Sequence, residues 1–360
     1  MAKYLEIVRW VENRIKNGEL ADGDKLPPEN ELGAMFGYSR QTVRHALSVL
    51  GKKGILESRQ GSGNYIRSGQ SAVSEDTREK RIKVISTYIN SYLFPRVLQG
   101  MTRTLEAHGC SVGIAFTYNH IDDEKRVLEE VLGEDVDGVI AEPVMSGIPN
   151  VNCDLYEKIR EKGIPVLFFH SYYPGLGIPH VSLNDVEAGK AAAEYLISLG
   201  HRRIAGIFKS DDGQGQRRYQ GYVEALRAHD IPIRESRVVW LDTEDERNFT
   251  YSRDRILNRM KGCTACVCYN DEVAHALTGL LQEEGIAVPN EVSLASVDNS
   301  ELARLNAVPL TSVIHPMESL GERAAENLLA MIREPDFDGT YEFPVEIKVR
   351  ESAVRCRARG

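Results

Sequence analysis

Within the first seventy residues, three short amphipathic patterns are punctuated by Pro27-Pro28, Gly37 and Gly54 and closed by a glycine-tipped hairpin. This punctuation constrains the fold more than any other feature of the chain. Residues 4–16 place Ile7, Val8, Val11 and Ile15 at a helical period with one buried face, and Asn17-Gly18 ends the run. Leu26 and the prolines lead into a second helix. Pro28 suits a first turn that needs no N–H, Glu29 and Glu31 complement the positive end of the dipole, and Leu32, Met35 and Phe36 form the inner face. Gly37-Tyr38 makes the turn, and Ser39 stands where an N-cap belongs. The third helix buries Val43, Ala46, Leu47 and Leu50 and leaves Arg40, Gln41, Arg44 and Ser48 on its other side. Ile55–Ser58 begins the hairpin, Arg59–Gly63 is its tip, and Asn64–Ile66 returns. Glycines there permit positive φ and close approach of backbone to a groove. Long donors beside a small polar residue reach phosphates and the acceptor edge of guanine. The segment reads as a winged helix-turn-helix facing duplex DNA.

The other three quarters of the chain have a different character. At 360 residues the chain exceeds a single comfortable core, so more than one domain is expected. Net charge is -9, yet residues 1–70 hold 11 Lys+Arg against 8 Asp+Glu, and the remainder holds 33 against 45. A basic reader on an acidic body has this asymmetry. No run of about 18 apolar residues exists, so a membrane span is not expected. The start Met-Ala-Lys-Tyr-Leu-Glu has no apolar signal core, and a cytoplasmic location is expected. Cys263-x-x-Cys266-x-Cys268 reads as a buried strand of small residues, because no second Cys or His pair stands at zinc spacing; no metal and no cofactor are expected. Residues 67–80 are polar, bury almost nothing and read as a flexible tether.

From Arg81 onward, strand and helix patterns alternate. Ile82–Ile85, Val112–Phe116, Gly138–Ala141 and Pro165–Phe169 read as strands separated by helical stretches. The cycle restarts with Ala188–Leu199 and Ile204–Phe208 and continues through Val238–Leu241, Ala265–Cys268 and Ser293–Val297. Repeated βα units imply parallel sheets wrapped by helices, and two runs in series suggest two similar doubly wound lobes. Ligands in such folds sit beyond the carboxyl ends of the strands, here between the lobes. The boundaries are therefore 1–68 for the reader, 69–80 for the linker and 81–357 for the two-lobed body. Enzyme signatures are missing. No Walker-type Gly-x4-Gly-Lys-Ser/Thr is present, Gly213-x-Gly215 is followed by Arg218 instead of a third glycine, and no Gly-x-Ser-x-Gly elbow appears. The chain is not expected to be an enzyme.

Leu26-Pro27-Pro28-Glu29-x-Glu31-Leu32, Ser39-Arg40-x-Thr42-Val43-Arg44-x-Ala46-Leu47 and Gly61-x-Gly63 resemble the signature of the GntR family of bacterial regulators across residues 3–67. At Asn30 the chain departs from the arginine common in that family. The resemblance implies that Glu29, Ser39 and Thr42 position the domain on DNA, with Arg40 and Arg44 making the strongest contacts and Gln41 among the donors. It further implies that Gln60, Gly61 and Gly63 enter the minor groove and that Lys3 and Tyr4 meet phosphate. Gly200-His201-Arg202-Arg203-Ile204-Ala205-Gly206-Ile207, Arg217-Arg218-Tyr219-Gln220-Gly221-Tyr222, Cys268-Tyr269-Asn270-Asp271 and Ser296-Val297-Asp298-Asn299 resemble the effector domain of LacI-type repressors and periplasmic sugar-binding proteins, over residues 82 to about 352. The fold so implied is α/β: a periplasmic-binding-protein-like body of two doubly wound parallel lobes behind the winged helix.

A sugar has apolar C–H faces and a belt of hydroxyls, so its site needs aromatic platforms and charged or amide partners. Tyr88, Tyr92 and Phe94 follow the first body strand, where the family places a contact loop. Arg218 matches the family's effector arginine, whose fork binds neighbouring hydroxyls, and Asp298 and Asn270 match its aspartate and amide. Glu142 and His170 end strands, His315 follows the lobe crossover, and Asp185 reads as a helix cap. The implied function is a dimeric repressor of sugar-utilisation genes. It holds operator double-stranded DNA as a homodimer, is released by a sugar (L-arabinose first) and makes no membrane contact. The alternatives are a regulator with a non-sugar effector such as a purine, and an enzyme tethered to DNA.

Overall fold

The computed structural model describes residues 3–52, 55–59, 63–66, 78–89 and 93–356. Gln60, Gly61, Tyr92, the terminating Gly54 and nearly all of the tether lie outside the described residues. The chain divides into two compact units between Glu79 and Lys80.

In the first unit, α1 (Lys3–Lys16), α2 (Glu29–Phe36) and α3 (Arg40–Lys52) precede β1 (Leu56–Arg59) and β2 (Gly63–Ile66). The two strands pair antiparallel from Leu56↔Ile66 to Arg59↔Gly63. Ile7, Val8, Val11, Leu32, Val43, Ala46, Leu50, Leu56 and Ile66 share one core, as their periods require. Gly37, at φ 67, closes α2 in the left-handed conformation. Met35 departs from expectation: it is 55% exposed. The eight-residue α2 packs through the narrower stripe of Leu32 and Phe36, which leaves Met35 at its margin.

Among the described residues, the second unit holds two six-stranded sheets. The first lobe begins with β3 (Lys80–Ser86), α4 (Phe94–Ala107), β4 (Cys110–Phe116) and α5 (Ile121–Gly133), followed by β5 (Gly138–Ala141), α6 (Cys153–Glu161), β6 (Val166–Phe169) and β7 (His180–Leu183). The second lobe runs through α7 (Asp185–Ser198), β8 (Ile204–Lys209), α8 (Gly213–Ala228) and β9 (Val238–Leu241). It continues with α9 (Thr243–Arg247), α10 (Arg253–Met260), β10 (Ala265–Cys268), α11 (Asp271–Glu283), β11 (Ser293–Asp298), α12 (Glu301–Leu305) and β12 (Thr311–Ile314). The chain then returns to the first lobe for α13 (Met317–Arg333) and β13 (Tyr341–Phe343), and crosses back for β14 (Ile347–Lys348).

Sheet orders are β13-β7-β6-β5-β3-β4 and β14-β12-β11-β10-β8-β9, parallel except for β14 against β12. The lobes are therefore interleaved and not simply in series. Three chain crossings, at 184, 315–316 and 344–346, join them. Both sheets follow the doubly wound pattern, in which strands buried on two faces read as continuous apolar runs. Each lobe brings two helices into backbone contact through glycines. A methyl on Gly221 of α8 would overlap the carbonyl of Val186 in α7, and one on Gly321 of α13 would overlap the carbonyl of Val97 in α4. That close approach anchors α8, the helix that carries Arg218.

Candidate functional site

On the first unit, the Oγ of Ser39 accepts from the N–H of Thr42 at 3.3 Å and caps α3, with the two hydroxyls 3.0 Å apart. Arg40, Gln41, Arg44 and Ser48 are exposed along α3. The Nε of Arg44 donates to both carboxylate oxygens of Glu29, at 2.9 and 3.1 Å, so α2 and α3 present these two side chains as one group. Tyr4 meets His45 edge-on at 4.4 Å between ring centroids. Gly63, at φ 121, starts the return strand, and a methyl there would lie 3.0 Å from the Cε of Lys25. Lys25 thus adds a cation beside the wing that the sequence pattern left unnoticed, because its place depends on the bridge between Lys25 and Tyr65. The backbone of Lys3 opens α1.

In the second unit, a small cavity of about 60 Å³ lies between the lobes at the carboxyl ends of their strands. Seven of the nine residues anticipated for the effector line it: Tyr88, Phe94, Glu142, His170, Arg218, Asn270 and Asp298. Tyr92 is outside the described residues. His315 is not in the lining. At the end of β12 its buried ring turns edge-on against His170, 5.0 Å between centroids, and neither ring nitrogen finds a hydrogen-bond partner among the described residues.

Arg218 is 2% exposed. Its Nε donates to Asp185 at 2.8 Å, its Nη1 to the carbonyl of Tyr269 at 2.7 Å, and its Nη2 lies 3.6 Å from Asp298. Burial works against its charge, but Asp185 and then Asp298 more than compensate and hold the guanidinium protonated. Asp185 is therefore not the cap it was expected to be. Asn184 caps α7 by accepting from the N–H of Glu187, which leaves the carboxylate of Asp185 free to turn into the interior and pair with Arg218.

Glu142 accepts from the N–H of Thr87 at 2.8 Å and pairs with Nδ1 of His170 at 2.8 Å. Burial lowers the pKa of His170, but the hydrogen bond and charge of Glu142, together with the charges of Asp298 and Asp185, raise it on balance above the usual histidine value. His315 moves the opposite way: burial, then His170 and Arg218, push it well below the usual histidine range, and it is neutral. His170, Asp298 and Asn299 all take positive φ at strand ends, a backbone strain retained where side chains must be aimed.

Four charged lining residues were not anticipated from sequence. Lys209 pairs with Asp212 at 3.1 Å and with Glu246 at 2.9 Å, and Glu272 stands nearby at the start of α11. Glu246 lies in the run Thr-Glu-Asp-Glu-Arg, which reads as a solvated turn. The only local signal was a lysine ending the apolar strand Ile204–Lys209. The arrangement suits an uncharged polyhydroxyl molecule. Carboxylates accept from hydroxyls, Arg218 and Lys209 donate, and Tyr88 and Phe94 (ring centroids 6.1 Å apart) offer apolar faces. Among the described residues no group of His, Cys, Asp or Glu could hold a metal ion.

The Glu272 carboxyl is pushed up to about 7 by burial first, then by Glu246 and Asp298. The unfolded group titrates near 4.5, so between pH 4.5 and 7 the fold keeps a proton that the unfolded chain has lost. Stability contributed by this group falls as pH rises through that window. In Glu272→Gln, the melting temperature relative to the parent chain should grow from pH 4.5 to 7 and level off above it. A difference that is constant with pH would rule the assignment out.

The first unit matches the model of the bacterial regulatory proteins of the gntR family over residues 3–66, and the second matches the periplasmic binding protein-like domain over residues 193–353. The chain is 35% identical over 358 residues to the arabinose metabolism transcriptional repressor of Geobacillus stearothermophilus, covering 98% of each. It is 32% identical to the protein of the same description from Halalkalibacterium halodurans, covering 99% of this chain and 98% of that one. The crystal structure of the transcription regulator CcpA of Lactococcus lactis superposes with a TM-score of 0.69 at 25% identity, over 77% of this chain and 100% of that one. No helix among the described residues is long and apolar enough to cross a membrane.

Proposed function

This chain belongs to the transcriptional repressors that join a GntR-type reader to a LacI-type body, and from that premise we propose that it represses L-arabinose utilisation genes and is released from its operator by L-arabinose. The observation that carries this reading is the interlobe cavity, where a buried guanidinium held by two carboxylates faces Glu142, Asn270 and two aromatic rings. Vicinal hydroxyls satisfy such a set, whereas an anion would meet several carboxylates of its own sign. Tyr88, Tyr92, Phe94, Glu142, His170, Arg218, Asn270, Asp298 and His315 form the effector set in this reading. Lys209, Asp212, Glu246 and Glu272 join it as further lining groups.

The reader over 1–68 meets DNA through Lys3, Tyr4, Glu29, Ser39, Arg40, Gln41, Thr42, Arg44, Gln60, Gly61 and Gly63. The linker spans 69–80 and the body 81–357. Two chains bind a near-palindromic operator as a homodimer in the cytoplasm. The body is a receptor and not a catalyst. Sugar must bind the DNA-released form more tightly than the DNA-bound form, because equal affinity shifts nothing.

Calorimetry against L-arabinose, D-ribose, D-galactose and purines, paired with mobility shifts on the operator, tests this. L-arabinose alone is expected to bind and to release the DNA, and it should be recovered chemically unchanged. Operator affinity indifferent to every compound would defeat the reading, and tighter DNA binding with a purine would replace it.

A further inference from the structure

We propose that Gly147 is the residue that lets the two lobes close, and that the latch it forms sets the strength of sugar binding from outside the cavity. This rests on the reading of the cleft as a sugar site. Gly147 itself does not line the cavity. It sits on the loop after β5, whose lobe-1 side is fixed by Glu124. That fully buried carboxylate accepts from Tyr156 at 2.9 Å, Tyr173 at 3.0 Å, Asn150 at 2.7 Å, Asn152 at 3.0 Å and the N–H of Val144 at 3.3 Å. A buried carboxylate with this many donors pins the loop in one shape.

From that anchored loop, backbone and short side chains reach into the other lobe. The N–H of Gly147 donates to the carbonyl of Asp211 at 2.9 Å, and the N–H of Gly213 donates to the Oγ of Ser146 at 3.0 Å. Gln216 donates to the carbonyls of Gly147 and Ser210. Alongside, Asn119 accepts from the N–H of Met145 at 2.8 Å and donates to Thr243 across the gap at 2.9 Å.

A methyl on Gly147 would have as its three nearest atoms Asp212 C at 2.8 Å, Ser210 O at 2.8 Å and Asp211 C at 2.9 Å. All three are backbone of the opposite lobe, which cannot swing aside as a side chain would. The φ of Gly147 is not positive, so its own backbone does not demand glycine. Closure alone does. A side chain here therefore acts selectively against the closed arrangement and leaves each lobe intact, and a ligand bound only when closed must supply the difference.

The test uses the full chain with Gly147→Ala, Gly147→Val and Gln216→Ala. Titration with L-arabinose is expected to show a loss of affinity of about tenfold or more for Gly147→Val, with Gly147→Ala intermediate. Gln216→Ala, which removes donors without adding bulk, is expected to lose about twofold to fivefold. Far-ultraviolet circular dichroism should match the parent, and operator affinity should be equal to the parent's or tighter, because the variants disfavour the arrangement that sugar selects. Small-angle scattering should give the valine variant a larger radius of gyration than the parent, both without sugar and at sugar concentrations that saturate the parent. Should the valine variant not fold, the alanine and Gln216 variants carry the same comparison. Parental affinity and parental scattering in the Gly147 variants overturn the latch. A parent chain that binds no sugar at all overturns the sugar reading instead, and the sugar-free scattering comparison then decides the latch by itself.

Discussion

Arg218→Lys should bind L-arabinose about a hundredfold more weakly than the parent while still holding its operator, which makes a repressor that sugar does not release. The lysine keeps a positive charge between Asp185 and Asp298. It cannot, however, donate at once to Asp185, to the carbonyl of Tyr269 and into the cavity, as the planar fork does. Losing roughly two charge-assisted hydrogen bonds to ligand corresponds to about 3 kcal/mol. Arg218→Ala is a different experiment. Asp185 and Asp298 are each 2% exposed, and alanine would take the buried guanidinium from both carboxylates, leaving Arg217 at 3.9 Å from Asp185. A penalty of about 3–5 kcal/mol in stability is then expected on top of the lost binding. Calorimetry separates the two variants from each other, and thermal unfolding shows which effect is structural. Parental sugar affinity in Arg218→Lys would remove the guanidinium from the binding set.

The second large effect is on the reader. Arg44→Ala should lower operator affinity by about 2–6 kcal/mol for two readers, taking roughly 1–3 kcal/mol for each lost base contact. Sugar affinity should not change. Stability should move by less than about 1 kcal/mol, because the Arg44 side chain is 69% exposed and its pair with Glu29 is a surface ion pair. Glu29 adds a second readout. With Arg44 gone, its carboxylate faces DNA without a counter-ion, so adding Glu29→Gln should recover part of the lost affinity. Mobility shifts at two salt concentrations check this. Full operator affinity in Arg44→Ala would mean that α3 does not read the duplex through this residue.

Much of this molecule was legible before any tertiary contact was known. Gly138–Ala141, Val238–Leu241 and Ala265–Cys268 are strands with the boundaries their apolar runs indicated, because strands buried on both faces have nothing else to be made of. The three helices and hairpin of the first unit follow from their punctuation in the same way. The short pieces were not legible. β7, β13, β14 and α12 are two to five residues long and have no period of their own; β13 and β14 exist because a distant strand offers them a ladder. Met35 belongs to the same class, since its exposure depends on how much of α2 its neighbours cover.

The cavity divides along the same line. Of the seven anticipated residues in its wall, Glu142, His170, Asn270 and Asp298 stand at the ends of strands, which are visible in sequence, whereas Tyr88 follows β3, Phe94 opens α4 and Arg218 lies on α8. Sequence by itself determined the two architectures, the helix that presents Arg40 and Arg44, and the ends from which Glu142, His170, Asn270 and Asp298 project. Only the tertiary structure decided that the lobes interleave, that Asp185 pairs with Arg218 instead of capping α7, that Lys209 gathers Asp212 and Glu246, and that His315 turns onto His170. The physical reason is range. Periodicity and capping are settled by side chains within a few positions of one another, whereas the partner of a buried charge comes from whichever distant segment the packed chain brings within hydrogen-bonding reach.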